Sequence, residues 1–354
     1  MELHLNRKDL YQVTCVTGRS LGLLPASDKK KCHKVVVGGD NGVVTCFRIK
    51  KGEAIEEYAT GNLDYPVKTL FVGGPAEKRD RIFYTSAQTI RGVNKKGKEF
   101  FRFNTDGTEM LRGLHIEDTR IWTTGEYMFN YYLDTKDAGY YMAPDRINDL
   151  LMVPILNQVD LNPVLGCQDR HVRVLDVAKL HFEAFVDGAV TSLCKFNSKQ
   201  MSEILSKAGE KEVLYGTDNG LVGQLHCDSK SVRPGWVVPN VRGLGSVTCV
   251  TSFDLGKSGQ QDVIVARDDG EIQVLSLDQS GEPQEAFSKG VNECVQGIEV
   301  GKVTTSQYDE LVVATYSGKI LSFTTEPTQE RAVEGGLSPV RGGMVEMDIK
   351  DNVE

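Results

Sequence analysis

Four groups of residues in this sequence are of types that could do chemistry. The run Asp254-Leu255-Gly256-Lys257-Ser258-Gly259-Gln260-Gln261-Asp262 has the outline of a calcium loop, with a carboxylate at each end. Calcium takes about six to eight hard oxygen ligands. Here the middle ligand positions are Gly256 and Ser258, and Lys257 brings a positive charge, so the run is expected to form a turn and hold no metal. The histidines are His4, His33, His115, His171, His181 and His226. His226 and Cys227 are neighbours on an expected strand, where alternation points them to opposite faces and separates a nucleophile from its base. There is no GxSxG elbow, HExxH helix or Walker loop. The cysteines (Cys15, Cys32, Cys46, Cys167, Cys194, Cys227, Cys249 and Cys294) form no CxxC pair, which suits small apolar residues kept reduced rather than a zinc site. No catalytic residue, cofactor or metal is assigned, and the chain is expected not to be an enzyme.

The fourth group is cationic. Residues 1–105 hold 19 Lys+Arg and 11 Asp+Glu, a net of +8, so the remainder carries −16. Much of the excess lies in two segments: Lys29, Lys30 and Lys31 with Lys34, and Lys95, Lys96 and Lys98 with Arg91 and Arg102. Such runs are commonly solvated loop faces. The alternative chemistry is electrostatic, a patch that docks an acidic partner or lipid headgroups. The overall charge of −8 and a pI of 5.4 argue against a general nucleic-acid binder.

The elements that would carry these groups repeat. The 354 residues suit two average domains or one large all-β ring, and the 36 glycines follow no collagen period, so they belong to turns. Seven times an apolar run, a turn and a second alternating run recur, at 35–47, 82–93, 121–132, 164–175, 213–225, 263–275 and 311–323. Their mean spacing of 46 residues is the scale of a four-stranded propeller blade. Asp40-Asn41-Gly42, Asp218-Asn219-Gly220, Asp268-Asp269-Gly270 and Ser317-Gly318 supply turn residues that accept positive φ, and primed hairpin turns are expected there. Runs at 67–72, 148–153, 190–196, 247–253 and 295–300 precede hairpins as inner strands. The third and fourth repeats, around Trp122 and Cys167, lack the hairpin glycine, which leaves open a distorted blade or a count of six. The reading adopted is an all-β, seven-bladed propeller of four-stranded antiparallel blades over residues 1–327. Because the last repeat lacks a fourth strand of its own, residues 3–16 are expected to supply it. The segment 198–211 reads as a short amphipathic helix in a blade loop, and 328–354 as a linker-like tail toward further domains.

Nothing at the N-terminus resembles a secretory signal, and the richest apolar stretch, 150–156, is short and contains Pro154, so no membrane span is expected.

Taken in order, LNRKDLYQV, LLPAS, KVVVGGDNGVVTCF, KKGEA, IRGVNKKGKEF, DRINDLLMVP, GCQDRHVRVL, DVIVARDDGEIQV and YDELVVATYSGKILSFTTEP resemble the N-terminal portion of the subunit seven family of the BBSome, the Bardet–Biedl syndrome protein complex. The likeness runs over about residues 5–327. The Trp-Asp signature of common WD repeats is absent, since Trp122 precedes Thr123 and Trp236 precedes Val237. The resemblance implies a non-catalytic subunit of a coat-like adaptor that moves membrane proteins into and out of cilia. It implies location in the cytoplasm, cilium and basal body. It also implies pairing with subunits two and nine through C-terminal coiled-coil and appendage segments that do not follow here. A propeller scaffold of another trafficking complex, or less readily a propeller hydrolase, would share the fold.

Overall fold

The computed structural model describes residues 3–26, 31–75, 79–157, 159–198 and 209–327. Strand β1 spans Asn6–Gln12. Blade one is β2 (Leu21–Leu24), β3 (Lys34–Gly38), β4 (Val44–Lys50) and β5 (Glu53–Ala59). Blade two is β6 (Val67–Gly73), β7 (Arg81–Ser86), β8 (Thr89–Asn94) and β9 (Glu99–Asn104). Blade three is β10 (Gly113–Glu117), β11 (Arg120–Thr124), β12 (Met128–Leu133) and β13 (Lys136–Met142). Blade four is β14 (Ile147–Val153), β15 (Asn162–Cys167), β16 (His171–Asp176) and β17 (Lys179–Phe185). Blade five is β18 (Val190–Phe196), β19 (Lys211–Thr217), β20 (Val222–Cys227) and β21 (Val232–Val238). Blade six is β22 (Val247–Phe253), β23 (Asp262–Arg267), β24 (Glu271–Leu277) and β25 (Pro283–Gly290). Blade seven holds β26 (Val295–Gly301), β27 (Glu310–Thr315) and β28 (Lys319–Thr324), and its outer strand is β1, paired antiparallel to β28. Each sheet runs a-b-c-d outward from its inner strand. The seven-blade reading holds, blades three and four included. The described residues contain no helix, and the expected one at 198–211 falls mostly on 199–208, outside them, as does the tail at 328–354.

The b strands carry the ring because they are buried on both faces. Val35, Val36 and Val37 in β3, or Ile264, Val265 and Ala266 in β23, are 0–1% exposed. A sheet apolar on both faces needs a neighbour on each side, and a closed ring supplies both. The core accordingly divides into clusters that each bridge adjacent blades: Val36, Val44, Val67 and Tyr84 join blades one and two, and Val274, Val295, Ile298 and Phe323 join six and seven. Inner strands carry a recurrent irregularity, with register shifts at 67/70, 147/149, 190/192, 247/249 and 295/297. Such bulges add twist where the sheets crowd toward the axis.

The hairpin turns correct the expectation of primed geometry. Gly39 and Val43, Thr217 and Leu221, flank three-residue loops, and only the last loop residue has positive φ: Gly42 at 74°, Gly220 at 82°, Gly270 at 90° and Gly318 at 86°. The remaining positions, Asp40, Asn41, Asp218, Asn219, Asp268, Asp269 and Ser317, keep negative φ and form a turn closed by a bulge at glycine. Hydrogen bonds within the loop and to other segments hold this geometry: Asn41 Oδ1 accepts the Val43 N–H at 3.1 Å, and Asp218 Oδ1 accepts the N–H of Ala189, 29 residues away, at 2.9 Å. Blade four places Arg170 in the glycine slot at φ 64°, and blade three ties its turn with Glu109 Oε2, which accepts from the N–H groups of Glu126, Tyr127 and Met128 at 2.6–3.1 Å.

Candidate docking face and central channel

Because strands alternate in direction, a–b and c–d turns leave one face of the ring and b–c and d–a connections the other. Lys31 lies in the β2–β3 connection and Lys34 opens β3, and Lys95, Lys96 and Lys98 belong to the β8–β9 turn, so both basic segments reach the same face on neighbouring blades. They also meet. Gly97, at φ 79°, lies so close to blade one that a Cβ there would come within 2.5 Å of the Tyr58 ring on β5. Lys29 and Lys30 lie outside the described residues.

Much of this charge is spent internally. Lys34 Nζ is 2.9 Å from Glu57, which also holds Arg48 at 2.8 Å, and the hydrogen bond from Lys34 keeps the Glu57 carboxyl below its usual range. Glu99 pairs with both Arg91, at 2.9 Å, and Arg102, at 2.8 Å, and Lys95 stands 3.8 Å from Asp80. Lys31, Lys96 and Lys98 are exposed and carry no ion pair among the described residues. Arg79 and Arg81, in the β6–β7 connection and at the start of β7, share this face, and neither forms an ion pair among the described residues. The sequence reading did not single them out. Their signal was position: each sits where an a–b connection must open at the channel mouth.

The other end of the channel is bridged by an ion pair. Arg19, just ahead of β2, reaches across the ring to pair with Asp149 on β14, and its Nη2 donates to Thr191 O on β18 at 2.5 Å. Asp149, with 8% of its side chain exposed, also accepts the Leu193 N–H at 2.5 Å. At the open end, His115 of β10 is pushed down to about 4 by burial, with Arg79 adding to the effect. Glu299 of β26 is pushed up to about 7 by burial, which the charge of Arg79 only partly offsets. The folded protein therefore keeps a proton that the unfolded chain releases at about 4.5, and the stability linked to it falls as pH rises from about 4.5 to about 7. Glu299→Gln, which is neutral throughout, should raise stability near pH 8 by on the order of 2–3 kcal/mol and change it little near pH 4.5. Thermal melts at the two pH values check this; an equal shift at both would contradict it.

The loop from Asp254 to Asp262 uses its carboxylates on its own backbone. Asp254 accepts the N–H groups of Ser258 and Gly259 at 2.8 and 2.7 Å, and Asp262 accepts from Leu255 and Gly256 at 3.0 and 3.3 Å and from Ser276 Oγ at 2.5 Å. Among the described residues no three His, Cys, Asp or Glu side chains gather as metal ligands would.

Comparison with known proteins places this geometry. Residues 21–325 match the family model described as the BBS7 beta-propeller. The chain is 36% identical over 336 residues to the mouse BBSome complex member BBS7, covering 95% of this chain and 46% of that protein. It is 25% identical over 363 residues to the Caenorhabditis elegans BBSome complex member bbs-7, covering 99% and 49%. It thus spans about half the length of these curated relatives. Among solved structures, the BBS1 N-terminal fragment crystallised with ARL6 superposes with a TM-score of 0.67 at 11% identity, over 93% of this chain and 99% of that one. The WD40 propeller of Doa1 gives 0.64 at 9%, over 92% and 99%. At these identities the two structures speak for the fold alone.

Proposed function

Because this chain belongs to the BBS7 β-propeller family, we propose that it serves as a non-catalytic scaffold within the BBSome, presenting a rigid ring as a docking platform in the traffic of membrane proteins to and from cilia. The observation that carries the reading is the family match, which covers the ring from its first inner strand to its last. The chemistry of the ring agrees with it. Buried carboxylates such as Asp149, Glu212 and Asp262 are each occupied by backbone or side-chain donors, an arrangement that holds loops in place. Subunits two and nine are the partners we assign, engaged chiefly through segments beyond this ring. Work in the cytoplasm, at the basal body and in the cilium follows from the same assignment. Within the ring, the basic sector of blades one and two gives an otherwise acidic molecule a direction for docking onto acidic protein or membrane surfaces.

Reversing Lys29, Lys30, Lys31, Lys95, Lys96 and Lys98 to Glu tests this directly. The expected result is an unchanged melting temperature together with clearly reduced recruitment to membranes or incorporation into the complex in ciliated cells. Recruitment and incorporation equal to the parent's would reduce the sector to a solvated surface. Capture of the ring joined to those further segments, without other BBSome subunits, would remove the scaffold assignment itself.

A further inference from the structure

The face that carries the basic sector also holds a groove at the channel mouth. One cavity, of about 600 Å³, lies between blades two and three and is lined by Phe71, Phe83, Ile116 and Leu161, with Arg79 and Arg81 on the side of blade two and Glu117 and Asp118 on that of blade three. A second, of about 230 Å³, continues toward blades one and seven beneath Leu21, Leu23 and Glu299, and shares Phe71 and Arg79 with the first. Arg79 therefore stands at the junction of the two. Arg81 has its guanidinium 5.3 Å from the Phe100 ring, a contact that orients the cation and leaves its hydrogen-bond donors for another group.

The carboxylates nearby are engaged or lie to one side. Glu117 holds Arg120 at 2.5 Å, and Asp80 stands 3.8 Å from Lys95. Burial keeps Glu299 protonated over much of the range below neutrality. Asp118, in the a–b turn of blade three, marks the acidic edge, while Lys302 in the connection after β26 adds a cation on the side of blade seven, where its carbonyl receives the His33 N–H at 2.6 Å. With Glu117 engaged by Arg120, Arg79 and Arg81, unpaired among the described residues, outnumber the one remaining carboxylate of the lining, Asp118, around a recess of mixed polar and apolar lining, which favours an occupant apolar at its centre and anionic on the arginine side.

We propose that this groove binds an acidic peptide segment through one aromatic or branched apolar side chain, seated between Phe71, Phe83, Ile116 and Leu161, with flanking carboxylates on Arg79 and Arg81. A recess of this size suits a small number of apolar atoms with a few fixed polar groups at the edge. Arginine suits carboxylates because its planar fork meets both oxygens at once. A bilayer is the poorer fit: headgroups would meet the outer lysines, but the apolar walls are set back in a concavity that a flat surface does not enter. The inference deepens the docking reading by naming the chemistry of a partner on that face.

The test is fluorescence anisotropy with the chain as it stands and a synthetic Asp/Glu-rich peptide bearing one central Trp. Two control peptides carry Ala in place of Trp, or Lys in place of the acids, and phosphatidylserine vesicles serve as the alternative anion. The Trp peptide should bind; the controls should bind at least about tenfold more weakly. Arg79→Glu and Arg81→Glu should each weaken it about tenfold. Lys289→Glu, at the far end of β25 on the opposite face, should leave binding unchanged, and circular dichroism should show all three variants folded. Binding indifferent to Arg79→Glu and Arg81→Glu, or equal for the Trp and Ala peptides, overturns the proposal. Vesicle binding that needs Arg79 while the peptide does not bind overturns it too, in favour of a lipid surface. If the peptide binds as described but the six-lysine reversal leaves recruitment intact, the groove stands and the basic-sector reading falls. The converse result separates them the other way.

Discussion

Deleting residues 1–17 should lower the melting temperature by about 10–15 °C or leave the chain insoluble. Strand β1 is paired along its length with β28, from Asn6 opposite Thr324 to Gln12 opposite Lys319. The chain continues the pairing past the strand, since the N–H groups of Val13 and Val16 donate to Gly318 O and Tyr316 O at 2.9 and 3.0 Å. On its other sides the segment touches both neighbouring blades: Leu3 N–H donates to Ala286 O of blade six at 2.9 Å, and the Tyr11 ring lies 4.6 Å from the Phe47 ring of blade one. Leu10, Tyr11, Val13 and the fully buried Val16 pack into the cluster joining blades seven and one. Exposing these side chains costs on the order of 5 kcal/mol or more, comparable with the whole net stability of a domain. The open ring would also present β28 as an unpaired edge, which invites association. A melt within about 3 °C of the parent's would show that the last blade holds without its outer strand. Val16→Asp, which leaves β1 in place and buries a charge, should be destabilised in the same direction.

The second large effect is expected at the bridged end of the channel. Arg19→Ala should cost about 3 kcal/mol, toward the lower end for a broken buried ion pair, because a third of the Arg19 side chain keeps contact with solvent. Asp149→Ala should cost as much or more, since it strands both the guanidinium and the Leu193 N–H. With Arg19→Met and Asp149→Leu as the single variants of a cycle, their combination removes both charges and fills the space, so the double variant should recover part of the loss of either single one. Denaturant unfolding of the four proteins reads the coupling. Additive losses would mean that the two side chains do not act as a pair and that the ring does not depend on a clamp linking blade one to blades four and five.

The ring was legible in the sequence because its determinants are local. A continuous apolar run such as that of β23, followed by the alternating residues of β24, marks a strand pair within a few residues, and Asp-Asp-Gly marks its turn, so the period, the blade count and the strand supplied by residues 3–16 could be read without knowing what packs on what. Turn geometry was less legible. The residues Asp40, Asn41 and Gly42 permit both a primed turn and a bulged one, and the choice fell to hydrogen bonds reaching other segments, such as Asp40 N–H to Cys15 O at 2.8 Å. The docking patch was legible as charge, not as a site. Whether a lysine is available depends on which carboxylate lies within reach in the folded ring: Glu57 meets Lys34 from 23 residues away, while Lys96 and Lys98 meet none among the described residues. The channel was not legible at all. Arg19 lies 172 residues from Thr191, whose carbonyl it reaches only because ring closure turns inner strands of distant blades toward one axis. Backbone pattern is written along the chain; the partners of a charged side chain are decided by the closure that brings remote strands together.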